Sequence, residues 1–118
     1  MTFSIVRRCR DTGQLGIAIS SSSIAVGARC PWVRSRVGAV ATQNITLPSL
    51  GPQVLELLQS QQLEPAAALH RARGMDEWSQ YRQVTGIYEQ ARTAFFTGQE
   101  SLGTDQPVAG EQCIPAGS

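Results

Sequence analysis

The sequence predicts an α+β fold in which a largely antiparallel sheet carries helices on one face. Three observations lead there. Alternating apolar segments near both ends read as strands, two helical stripes lie together between them, and strands and helices are grouped rather than strictly alternating. The order is β-β-β-α-α-β-β followed by an irregular tail. Residues 1–98 form the folded unit and residues 99–118 a Gly/Pro-punctuated stretch.

Phe3, Ile5 and Arg7 alternate with Ser4, Val6 and Arg8, so a strand starts almost at the first residue. Asp11-Thr12-Gly13 is a turn signal, after which Leu15, Ile17 and Ile19 alternate with Gly16, Ala18 and Ser20. The pair predicts a β-hairpin whose second strand has one bulky face and one face of very small residues. Close packing by another layer is expected on the small face. Ser20 to Ser23 lead into Ile24-Ala25-Val26-Gly27-Ala28, and Pro31, after Cys30, is expected to end regular pairing. Val37 to Gln43 predicts a third strand. Ser49 is placed to cap a helix with Pro52 in its first turn and Val54, Leu55, Leu57 and Leu58 as its apolar stripe. A second helix starts at Pro65, turns Ala68, Leu69 and Ala72 inward, and stops at Gly74. Tyr81 to Tyr88 and Ala91 to Thr97 predict two further strands about a turn at Glu89-Gln90. Beyond Gly98, the residues Gly103, Pro107, Gly110, Pro115 and Gly117 interrupt a stretch with no sustained apolar periodicity. A sheet with helices on one face only leaves its other face in need of a cover.

Composition narrows the function classes. At 118 residues, 42% of them apolar, the chain suits one globular domain. Its formal charge of +1 gives no electrostatic reason to expect nucleic acid or an anionic membrane as partner. All ten basic residues are arginine, which excludes a Schiff-base lysine, a lysine general base and a P-loop lysine within this chain. Cys9, Cys30 and Cys113 are odd in number and far apart, and His70 is the one histidine. That pattern argues against a disulfide framework, a structural zinc site and a histidine-rich metal centre, so neither a metal nor a cofactor is expected. No stretch approaches the roughly 20 apolar residues of a membrane span. The first residues lack a basic region followed by a long apolar run, so no signal peptide is read, and the expected compartment is the cytoplasm.

Thr2 is the candidate nucleophile. Removal of the initiator methionine, common before a small residue, would leave a free α-amine beside the Thr2 hydroxyl. With an unperturbed pKa of about 7.7–8.0, that amine can serve as base for its own side chain. This chemistry needs neither histidine nor metal. The alternative for Thr2 is a threonine that simply begins a strand. Ser20 to Ser23 offer hydroxyls and backbone N–H groups at a strand end where an oxyanion could be held, or else form a polar strand exit. No nucleophile elbow of the G-x-S-x-G type is present. Arg34 and Arg36, two apart on an extended segment, would lie on one side and suit a substrate carboxylate, although surface arginines are the default. Trp32 is expected over the core edge, Cys30 as an inert thiol, and His70 facing solvent. Asp76-Glu77 are adjacent carboxylates that are not expected to converge.

The segments Thr2-Phe3-Ser4-Ile5-Val6, Gly13 to Ile19, Ala25-Val26-Gly27-Ala28 and Pro31-Trp32 resemble those of one bacterial family, the uncharacterised Ntn-hydrolase-like domain of unknown function 1028. So do Val37 to Gln43, Gly51 to Leu58 and Tyr81-Arg82-Gln83, and all occur in the family's order. The resemblance runs from Thr2 to about Thr97-Gly98. It implies an N-terminal-nucleophile hydrolase fold, with sheets stacked face to face between helix layers and Thr2 at the nucleophile position. The activity it implies, by analogy of fold, is metal-free hydrolysis of a C–N bond in a small linear or cyclic amide, with Thr2 catalytic. Independently of the resemblance, Ser21, Ser22 and Arg34 are the candidate accessory residues for binding the substrate. Ser22 and Phe96 depart from the family's pattern, where a larger, often basic, residue and a histidine are frequent. Relatives are longer, so the fold read from this chain is incomplete. A homo-oligomer, or a second chain completing the fold, is the expected partner. The rival reading is a non-catalytic assembly or binding protein that keeps part of the scaffold.

Overall fold

The computed structural model describes residues 1–101 and 108–117. Among them, seven strands and two α-helices build two antiparallel sheets. The first sheet has the order β2-β1-β7, formed by Leu15–Ser21, Thr2–Arg8 and Cys113–Gly117. In its register Ser4 lies between Ile19 and Ala116, and Val6 between Ile17 and Ile114. The second sheet has the order β3-β4-β5-β6, formed by Pro31–Arg34, Gly38–Asn44, Arg82–Tyr88 and Thr93–Thr97. The two-residue period of each strand sends Val6 and Ile114 toward the second sheet, where they meet Ala39, Ala41 and Ile87. All five are completely buried. The small alanines leave room for the branched side chains opposite.

Both helices cover the outer face of the second sheet. Helix α1 (Leu50–Gln61) and helix α2 (Pro65–Gly74) lay Leu50, Val54, Leu57, Ala68, Leu69 and Ala72 on Val40, Val84, Tyr88 and Ala94. Ser49 occupies the position before α1, but its side chain makes no capping hydrogen bond. Pro65 opens α2 where its missing N–H has no intrahelical partner to lose. The Arg73 guanidinium on α2 lies 3.2 Å over the Phe96 ring on β6 and ties helix to sheet.

Four features differ from the sequence reading. The strands form two facing sheets, as the resemblance implied, rather than the single sheet read from the strand pattern; β1 takes the distant β7 as its second neighbour. Pro31 does not end pairing; it opens β3 opposite Ala41, at the first position of an edge strand, where proline's missing donor is tolerated. The stretch read as irregular contains β7, which turns only Ile114 and Ala116 inward, too few residues to register as a pattern. Within that stretch, residues 102–107, with Gly103 and Pro107, and Ser118 lie outside the described residues. Finally, the small face of β2 is not packed by another layer: Gly16, Ala18 and Ser20 are exposed, while Leu15, Ile17 and Ile19 turn toward the second sheet. No helix of the described residues is long and apolar enough to cross a membrane.

Candidate active site

The alternation that buries Ser4 and Val6 also turns Thr2 inward, at the open end of the gap between the sheets. Thr2 is half-buried and pairs across the hairpin with Ser21. Its Oγ1 lies 2.9 Å from Ser21 Oγ. The Met1 amino group donates to Ser22 Oγ at 3.2 Å, and the Ser22 N–H donates to the Met1 carbonyl at 3.3 Å. The Ser23 N–H donates to Ser21 Oγ at 3.0 Å. Thr2, Ser21 and Ser22 therefore lie together.

Behind Thr2 runs a chain of buried polar side chains that the sequence reading missed. Ser4 Oγ donates to Gln43 Oε1 at 2.7 Å, linking the two sheets. Gln43 Nε2 donates to Gln83 Oε1, and Gln83 Nε2 donates to Thr97 Oγ1 at 3.3 Å. Gln43 and Gln83 are 1% and 0% exposed, so each amide depends on these partners to offset its desolvation. The one sequence signal was a glutamine at an inward-facing position in each of two adjacent strands. At the same end of the second sheet, Arg82 Nε donates to Asp76 Oδ2 at 2.9 Å and Arg82 Nη1 to the Ile45 carbonyl at 2.7 Å. The guanidinium's hydrogen bonds to the carboxylate, from Nε and from Nη2 (to Oδ1, 3.3 Å), hold the Asp76 carboxyl below the usual aspartate range, against the opposing effect of burial.

The arginines are placed elsewhere. Arg34 pairs with Gly38, five residues of β4 (roughly 17 Å of strand) from Gln43. Its Nη1 is engaged by Glu56 Oε2 at 3.0 Å and Gln59 Oε1 at 2.9 Å on α1, so the structure does not bring it to Thr2. Arg36 follows on a turn with φ of 61°, which rotates it off the side Arg34 occupies. Trp32 packs its indole against Gly51 of α1, His70 is exposed, and burial pushes the Cys30 thiol up. A cleft of about 790 Å³ opens at this far end, and Thr2 does not line it. Among the described residues, no three His, Cys, Asp or Glu side chains gather to hold a metal.

Residues 2–118 match the family of unknown function DUF1028. The chain belongs to DUF1028. The crystal structure of protein SPO2555 from Silicibacter pomeroyi, family model DUF1028, superposes with a TM-score of 0.91 at 27% identity. The match covers 98% of this chain and 51% of that one, so this DUF1028 chain spans about half the length of that relative. No curated protein matches the chain. Two facing antiparallel sheets with a helix pair on one outer face are thus an architecture this chain shares with another DUF1028 protein.

Proposed function

We propose that this chain is the nucleophile-bearing part of an Ntn-type amidohydrolase, with Thr2 exposed as the terminal residue once Met1 is removed. The observation that carries the reading is the convergence of the Thr2 hydroxyl, the Ser21 hydroxyl at 2.9 Å and the Ser22 N–H at the mouth of the inter-sheet gap. The layered pair of sheets, with a half-buried threonine at the head of β1, supports the same fold analogy. In the proposed reaction Thr2 Oγ1 attacks the amide carbon, and the hydroxyl proton passes to the freed α-amine. The C–N bond then breaks as that proton moves to the leaving amine, giving an ester on Thr2 that water hydrolyses to acid and free threonine. Removing Met1 also frees the Ser22 N–H from the Met1 carbonyl, making it available to the oxyanion. Ser21 orients the Thr2 hydroxyl. Arg34 has no part in this reading, because Glu56 and Gln59 hold it.

The test is an intact mass of protein from its own host, followed by reaction with a threonine-directed β-lactone. Loss of Met1 and stoichiometric labelling are expected, with labelling abolished in Thr2→Val and slowed about tenfold in Ser21→Ala, a loss on the scale of one hydrogen bond. Retained Met1 on the native chain, or unchanged labelling of Thr2→Val, overturns the reading. The rival, a binding or assembly protein, is favoured by one observation: the 790 Å³ cleft opens away from Thr2.

A further inference from the structure

That cleft lies among three turns, which join β1 to β2, β3 to β4 and β5 to β6, and its volume of about 790 Å³ suits a small-molecule ligand. Charged side chains of both signs line it. Arg8 is half-buried and laid in place by Gln112: its N–H donates to the Gln112 carbonyl at 2.9 Å, and its Nη1 to Gln112 Oε1 at 3.1 Å. Gln112 itself adopts a φ of 61°, in the left-handed region. Arg36 is exposed at a φ of 61°, a conformation that costs free energy for any side-chain-bearing residue and that glycine would adopt freely. Asp11 and Glu89 are the acidic groups on the walls. Arg10 is already paired with Glu111.

Arg8, Arg36, Asp11 and Glu89 share the cleft, yet no ion pair joins any two of them among the described residues. A simple anion would meet two uncompensated carboxylates, and a simple cation two uncompensated guanidinium groups. A ligand carrying both charges satisfies both sets. We propose that the cleft binds a small amino-acid-like zwitterion, its carboxylate held by Arg8 and Arg36 and its ammonium group facing Asp11 and Glu89. Guanidinium groups suit the carboxylate because they offer paired donors in fixed geometry. Gln112 keeps Arg8 oriented, and the strained backbone at Arg36 is retained for its side chain. The site lies at the end of the sandwich away from Thr2 and is independent of the hydrolase reading.

Calorimetric titration of the native chain with ω-amino acids of increasing length, from glycine through γ-aminobutyrate to ε-aminocaproate, tests this. At least one member is expected to bind at least about tenfold more tightly than its carboxylate-only or amine-only analogue, with Glu89→Gln weakening it by a similar factor. Both substituted positions discussed are exposed, so the fold is expected to survive. Arg36→Gly is expected to abolish binding and yet raise the melting temperature of the ligand-free protein. Failure of every member to bind overturns the proposal. So does equal binding of the carboxylate-only analogue, full affinity in Arg36→Gly, or a lower melting temperature for that variant.

Discussion

Asp76 and Arg82 hold each other out of water, with side chains only 5% and 8% exposed. Removing one charge leaves the other buried, so Asp76→Asn is expected to cost about 3 kcal/mol at neutral pH. The depressed carboxyl also makes stability depend on pH in a defined direction. Its contribution is complete above the unfolded aspartate value of about 3.9 and is lost as pH falls through the lower folded value. Urea midpoints measured from neutral to strongly acidic pH should therefore decline below about pH 4 in the native chain and decline less in Asp76→Asn. Parallel curves would show that another carboxylate governs acid unfolding. The pair also marks how far single residues were legible. Thr2 was singled out because the chemistry considered for it depends only on position in the chain. Asp76 was visible only beside Glu77, since nothing in the spacing pointed to a guanidinium on the following strand. Arg34 and Arg36 were placed on one side by assuming an extended segment; the turn at Arg36 separates them.

At the scale of elements, β3 and α1 meet where Trp32 lies against Gly51. A Cβ at position 51 would collide with Trp32 Cδ1, well inside contact distance. Replacing glycine by alanine in a helix ordinarily gains up to about 1 kcal/mol. Overpacking here costs about 1–3 kcal/mol, and because the clash involves a ring held in the core, the cost is expected to win. Gly51→Ala should lower the urea midpoint, whereas in a Trp32→Leu background the same change should be neutral or stabilising. A stabilised single variant would mean that the indole moves aside freely. The helices themselves were readable because Pro65 and Gly74 punctuate one, and the leucine stripe defines the other. Two of the edge strands, β3 and β7, were not. β3 opens on a proline, which argues against a strand although its partner β4 follows at once, whereas β7 has two inward apolar residues and is held by β1 at the other end of the chain, a pairing that local pattern does not carry. The polar chain from Ser4 through Gln43 and Gln83 to Thr97 escaped because it depends on strand register and sheet stacking: Ser4 to Gln43 crosses between the sheets, and the other two links join paired neighbours within the second sheet.

The whole molecule is covered unevenly. The second sheet has helices on one face and the first sheet on the other, while the first sheet's outer face carries Phe3 at 57% and Ile5 at 38% exposure beside exposed Ala18 and Pro115. Exposed apolar surface of this kind, contiguous along paired strands, favours association over solvation. We therefore expect a second copy, or a separate chain, to cover this face. Light scattering on the purified protein should report a species larger than the 12.7 kDa of one chain. A mass near a multiple of that value indicates self-association, and any other mass indicates a different polypeptide on the face. Replacing Phe3 by serine and Ile5 by threonine should give a monomer that melts at nearly the native temperature. Both residues point away from the inter-sheet core, and threonine suits a strand. A native chain that stays monomeric at high concentration would show that the face tolerates water. The small residues of β2, left open opposite Phe3 and Ile5, would then serve solvation rather than close packing.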